Sequence, residues 1–218
     1  MSSQNLFHLA AVALIISGGS LALGLILHPM PPYGASIATS RWAVSHLLWW
    51  FGGLTGIVGL TGLYLRQRKE VGVLGFVGSG LAIIALALIA SAMYFEAFIA
   101  PSLAARAPEL FESFPAGGGW EGFLAGVLAS GALFGIGFLL FGITMFRVGI
   151  VPRWAIVLAV LGGVPFAVNF LLPRPVAILA VTAFGIGLLG LSHGVWKSIE
   201  QPTANPTPQP TSGARVSE

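Results

Sequence analysis

The chain contains no cysteine and no aspartate, and only 8% of its residues are charged. The first absence excludes disulfides, iron–sulfur clusters, thiolate zinc sites and covalent c-type haem attachment. The second leaves seven glutamates as the whole stock of acidic side chains, too few for a carboxylate-rich metal site or a long proton relay. The shortage of charge excludes a soluble domain, because 218 residues folded in water would need far more of it to cover their surface. The ten basic residues sit singly or in small groups at the ends of apolar segments and form no patch, so no nucleic-acid partner is expected. An ATP-binding loop, an HExxH motif, a basic voltage-sensor helix and a charge at the centre of an apolar run are missing as well.

What the chain does have is length of apolar sequence. Hydrophobic residues make up 56% of it, in runs that exceed the span of a bilayer. The runs are continuous rather than alternating, which excludes a membrane β-barrel. The expected fold is all-α: a polytopic six-transmembrane-helix bundle within residues 1–199, with the lipid bilayer as its first partner. The spans fall at about 6–28, 42–65, 71–99, 122–146, 154–172 and 175–196. The leader MSSQN carries no basic residue, so the first span is expected to be a retained helix, not a cleaved signal. The tail 200–218 is rich in Pro and Thr and is expected to be disordered. Arg66, Arg68, Lys69, Arg147, Arg153, Lys197 and Arg215 fall on one side of this topology, and Arg41, Arg106 and Arg174 on the other. Positive residues favour the inner side, so both termini are placed inside.

Small residues mark the helix contacts. Gly53, Gly56, Gly59 and Gly62 recur through the second span, and Gly122, Gly126, Gly131 and Gly135 through the fourth. Such faces let backbones approach within one bundle, or between chains in a homo-oligomer or a larger membrane complex.

The polar residues inside the spans need another explanation. Counting depth along each helix, His28 lies at the outer end of its span, His46 and Glu96 about one turn inside the outer interface and Asn169 at a similar level, on four different helices. Each shares its helical face with glycine, alanine or serine, as bundle-facing positions do. Intramembrane ionisable groups are costly and usually face the bundle or an aqueous cavity. The expectation is an outward-facing pocket lined by His28, His46, Glu96 and Asn169, with Trp49 and Trp50 as walls. Two histidines and a carboxylate suit a metal with an open position, and two histidines suit haem iron, but no cofactor is required by the sequence. The opposing reading is that all four residues are interfacial and merely bind water. Trp42, Trp120, Trp154 and Trp196, with Arg41, are read as an interfacial belt. His8 and His193 lie at the inner ends of the first and last spans and meet only if those helices are neighbours. In the outer loop, APELFESF has the pattern of a short amphipathic helix on the membrane surface, placed to act as a lid.

HPMPPYG, RWAVSHLLWWFGG, GLTGLYLR, FEAFIAPSLAARAPEL and FRVGIVPRW carry a resemblance to multi-pass proteins of bacterial inner membranes. The resemblance covers most of the first five spans and implies an inner-membrane location. That group brings no established activity, so it assigns no residue a role. No catalytic residue is identified either: Ser45 is adjacent to His46 in sequence but projects elsewhere on the helix. The leading expectation is a small-ligand-binding or accessory membrane module with an outward-facing polar pocket. The alternatives are a transporter of a small neutral or weakly polar solute, and a structural subunit of a membrane complex.

Overall fold

The computed structural model describes residues 3–29, 33–115 and 117–200. The tail expected to be disordered therefore lies, from residue 201 on, outside the described residues. Within them the chain is entirely helical: α1 (Ser3–Leu27), α2 (Gly34–Ile37), α3 (Ser40–Gln67), α4 (Gly72–Tyr94), α5 (Ala100–Arg106), α6 (Glu121–Val148), α7 (Arg153–Phe166) and α8 (Arg174–Glu200). A π-helical turn, Phe95–Ile99, joins α4 to α5 without a break, and 3-10 turns cover Pro108–Phe111 and Asn169–Leu171. In lipid a backbone must bond to itself, and continuous helix is how an open chain does so.

Among the described residues five helical stretches are long and apolar enough to cross a membrane: Gln4–Leu27, Ser40–Gln67, Gly72–Arg106, Glu121–Val148 and Arg174–Glu200. This is a multi-pass membrane architecture. Two expected boundaries are corrected. The third span does not stop at 99 but runs to Arg106 through the π turn. The helix expected over 154–172 ends at Phe166, after 14 residues. That is about 21 Å, short of a hydrocarbon core of about 30 Å. Pro165 has no N–H for the carbonyl of Leu161, and the backbone leaves helical geometry at Val168, where φ is −123°.

The long helices close into a ring: α1 packs on α3, α3 on α4, α4 on α6, α6 on α7, α7 on α8, and α8 back on α1. Glycine sets how closely they meet. Down the α1–α3 seam a Cβ on Gly52, Gly56, Gly59 or Gly62 would meet Leu21, Ser17, Leu14 or Ala10. Ser17 also donates across that seam to the carbonyl of Gly52, at 2.8 Å. The glycine face of α3 is thus occupied inside the chain. The α7–α8 seam is an antiparallel ladder in which Gly194 faces Pro152, Gly190 faces Ala155, Gly187 faces Ala159 and Gly162 faces Ala180 and Phe184. Arg66 closes one end of the bundle by donating to the hydroxyl and carbonyl of Ser198, both at 3.1 Å. His8 lies against Trp196 at that same end, with ring centroids 4.7 Å apart, and His193 is exposed.

Steric contrast between glycines gives a direct check. A Cβ on Gly162 would sit 2.3 Å from the backbone nitrogen of Phe184, whereas one on Gly126 would meet nothing within 4 Å. Gly162→Ala is expected to cost about 1–3 kcal/mol through overpacking. Gly126→Ala is expected to be neutral or slightly stabilising, because alanine favours helix. Thermal melting of both variants in detergent measures the difference.

Candidate functional site

At the end of the bundle opposite Arg66, α1 stops at Leu27 and leaves its last carbonyls without helical partners. Two arginines supply donors. Arg174 reaches from the start of α8 to the carbonyls of Leu25, Ile26 and His28. Arg41, near the start of α3, donates to the carbonyl of Leu27 at 2.6 Å. Both place positive charge at the negative end of the α1 dipole. The clamp fixes His28 immediately after the helix. His28 Nδ1 lies 2.8 Å from the carbonyl of Pro29, to which it donates.

On α3, Trp42, Ser45, His46 and Trp49 are all buried on the face turned into the bundle. Their partners come from an irregularity in the α4–α5 helix. Pro101 has no N–H, so the carbonyls of Ala97 and Glu96 find no donor there. In the π turn the N–H of Ala100 bonds to Phe95, five residues back. The Glu96 carbonyl is then left free by both Ala100 and Pro101, and the Trp42 indole N–H takes it at 3.1 Å. One proline thereby ties the backbone of Glu96 to α3 and sets its carboxyl beside His46.

His46 Nε2 lies 2.9 Å from Glu96 Oε2, and the two side chains are only 2% and 8% exposed. His46 Nδ1 lies 2.9 Å from the carbonyl of Trp42. A carbonyl only accepts, so Nδ1 must carry a proton and donate. Ser45, at 3.4 Å from the same nitrogen, donates its own hydroxyl to that carbonyl. With Nδ1 committed, the short Nε2–Oε2 contact needs one more proton between the two atoms. The pair is either imidazolium with carboxylate or imidazole with carboxylic acid, and its net charge is zero in both. Glu96 Oε1 and His28 Nε2 have no hydrogen-bond partner among the described residues, and neither is sealed inside protein.

These groups open onto a cavity of about 280 Å³ at the centre of the ring. This is near the lower end of the size range of small-molecule sites, about 300–1,000 Å³. Its polar end holds His28, Tyr33, His46, Glu96, Asn169 and Arg174. Trp42 and Trp49 wall it, and His28 stacks on Trp49 with centroids 4.9 Å apart and an interplanar angle of 21°. Gly24 makes room for that stack, because a Cβ there would lie 2.5 Å from the Trp49 ring. The remaining wall is apolar and reaches Gly53, Leu86 and Phe134. From His46 to Gly53 is seven positions, about 10 Å along the helix. Below, Phe134 stacks on Phe138 and meets Phe184 edge-on, closing the floor. Burial raises the phenol pKa of Tyr33 above its ordinary value, with Arg174 acting against this and Glu96 adding to it. Tyr33 therefore offers a protonated hydroxyl.

All four expected pocket residues line this cavity. Asn169 follows the end of α7 and donates to the carbonyl of Phe166 at 2.8 Å. Trp49 is a wall as expected, and its indole N–H donates to the carbonyl of Leu21 at 3.0 Å. Trp50 is not: it sits one residue round the helix, outside the cavity, against Tyr94 and Phe98. Trp42 leaves the expected interfacial belt, being 1% exposed and part of the cavity wall. Ser45 does not point away from His46, as its hydrogen bonds show. APELFESF forms only a 3-10 turn, with Phe111 buried against Phe114 and Trp120 rather than a surface helix, and Phe114 covers part of the cavity. His28, His46 and Glu96 do not make a metal cage: no group of three such residues among those described stands in metal-holding geometry. Both nitrogens of His46 are already engaged.

Tyr33 and Trp42 are the site residues that sequence reasoning missed. Pro101 was the signal for Trp42, because it leaves a carbonyl near Glu96 that needs a donor. Comparison of the chain with protein-family models, curated proteins and solved structures finds no match.

Proposed function

We propose that this chain is a six-crossing protein of a bacterial inner membrane, with both ends inside, and that it holds one small ligand in the outer half of the bilayer. The observation that carries the ligand reading is the His46–Glu96 pair: buried, net neutral, and open on one side to a cavity that also presents His28, Tyr33 and Asn169. An interfacial histidine would need no such enclosure. Six crossings draw support from the α7–α8 ladder, which pairs Pro152 through Gly163 with the length of α8 from Gly194 to Ala180. The inward orientation draws support from the basic residues and from Arg41 and Arg174. Those two exceptions on the outer side are engaged with the end of α1. The resemblance to inner-membrane proteins supports the location.

Binding fits the cavity better than transport. A solute crossing the bundle would have to pass Phe138, Phe141 and Leu60, which are fully buried below the cavity floor. No catalytic group is assigned, since Ser45 spends its proton on the Trp42 carbonyl.

The test is native mass spectrometry of the full chain in mild detergent, beside His46→Ala and Glu96→Gln, with metal content measured on the same samples. The expected result is about one bound organic molecule per chain, depleted at least tenfold in His46→Ala. A chain that carries nothing in any form, under conditions that retain bound lipid, contradicts the reading.

A further inference from the structure

A second opening adjoins the cavity. Between α4 and α6 lies a groove of about 510 Å³ whose lining includes Ser91, Gly122 and Gly126. It shares Ile89, Met93, Phe123 and Val127 with the cavity, so one set of side chains separates the two spaces. The groove exists because α4 and α6 splay. At their other ends the helices touch backbone to backbone: a Cβ on Gly78 would lie 2.6 Å from the nitrogen of Phe141, and one on Gly137 would lie 2.5 Å from that of Ala82. At Gly122 and Gly126 an added Cβ would meet nothing within 4 Å. The pair is a V, closed near the Arg66 end and open beside Glu96. Its open face is apolar and belongs to helix that crosses the membrane, so what it meets is hydrocarbon.

We propose that the ligand is an uncharged amphiphile that reaches the cavity sideways from the outer leaflet, its polar head against the His46–Glu96 pair and its apolar tail lying in the α4–α6 groove. This rests on the ligand-binding reading above. The head is uncharged because the pair it faces is net neutral and Arg174 is engaged with carbonyls. It both gives and accepts hydrogen bonds, because Glu96 Oε1 and His28 Nε2 stand open beside the Tyr33 hydroxyl. The tail is needed because only the apolar side chains of Ile89, Met93, Phe123 and Val127 stand between the two spaces, and an all-polar solute would leave the groove without an occupant. Hydroxyl-headed and primary-amide-headed lipids share this chemistry.

The test uses two alcohols with a photoreactive diazirine on the alkyl chain, one of six carbons and one of sixteen. The full chain is labelled in lipid nanodiscs and the adducts are mapped by peptide mass. In the wild type both probes are expected to label the cavity, and the long probe also to label residues that line the groove alone, around Ser91 and Ala92 on α4 and Ala129 and Ser130 on α6. Gly126→Trp, whose folding is checked by its melting temperature, is expected to cut long-probe labelling of the cavity at least tenfold and to spare the short probe. His46→Ala is expected to cut both. Equal long-probe labelling in wild type and Gly126→Trp overturns the sideways path, and the binding site stands if His46→Ala still removes the label. Absence of cavity labelling by either probe overturns the site itself. The chain has no cysteine, so Gly126→Cys reports a different occupant cleanly. Efficient disulfide-linked dimers in the membrane would assign the groove to a second copy and overturn the proposal.

Discussion

Arg174→Met is expected to destabilise the folded chain by about 3–5 kcal/mol, the largest loss from any single exposed-end substitution. The guanidinium hydrogen-bonds the carbonyls of Leu25, Ile26 and His28, and nothing else among the described residues does so from α8. Hydrogen bonds to a charged donor contribute about 1.5–3 kcal/mol each in isolation, and three on one nitrogen add less than three times that. Arg174 also begins α8, where its charge opposes that helix's own dipole. Its position is explained by the end of α1 rather than by α8. A second consequence is geometric: with the clamp gone, the α1 terminus frays and His28 leaves its stack on Trp49. Arg106→Met is the control, since Arg106 is exposed and makes no hydrogen bond among the described residues. It is expected to fall within about 0.5 kcal/mol of wild type, as surface changes do. Reversible unfolding in mixed micelles measures both.

The second large effect is at the His46–Glu96 pair. Glu96→Leu is expected to cost about 2–3 kcal/mol and to abolish ligand binding. Removing one member of a buried ion pair commonly costs about 3–5 kcal/mol because the survivor keeps its charge. Here the cost falls below that range because imidazole can shed its proton and stay neutral, leaving one unsatisfied nitrogen. His46→Leu alone is expected to behave alike, with Glu96 taking a proton. The double variant is expected to be less destabilised than the sum of the two, by about 1–2 kcal/mol, because the interaction is counted twice in the single changes. An additive double-mutant cycle would mean the two side chains do not interact, and the site as described would fail.

Much of this site was legible in the sequence because helix geometry converts residue number into depth. Counting from span ends placed His28, His46, Glu96 and Asn169 in one layer, and the small residues beside them gave the inward faces. What the sequence did not reveal depended on breaks in that regularity. The π turn at Phe95–Ile99 shifts every later residue around its helix, and it arises from Pro101, beyond the expected end of the span. Trp42 resembled an interfacial anchor because nothing local shows that its indole N–H is needed by a carbonyl 54 positions away. Trp50 failed as a wall because one residue of helix is about 100° of rotation, enough to carry it off the face that Trp49 shares with His46. The early end of α7 follows from Pro165, whose missing N–H weakens the helix without fixing in the sequence how many residues later the span stops. The fold class was the easiest part, since continuous apolar runs admit few other solutions.

His46, held by Trp42 and Glu96, is the residue proposed to meet the ligand in the cavity. Nitrogen-15 NMR of histidine-labelled full chain in lipid bilayers tests it most directly, since only four histidines contribute and His46→Ala assigns the signals. His46 is expected to show a protonated, hydrogen-bonded Nδ1 and an Nε2 that shares its proton with Glu96. The Nε2 signal is expected to shift when bound molecules are stripped by repeated detergent exchange, and to return when the six-carbon alcohol is added. A His46 with Nδ1 bare, or an Nε2 signal indifferent to both stripping and addition, would contradict that role.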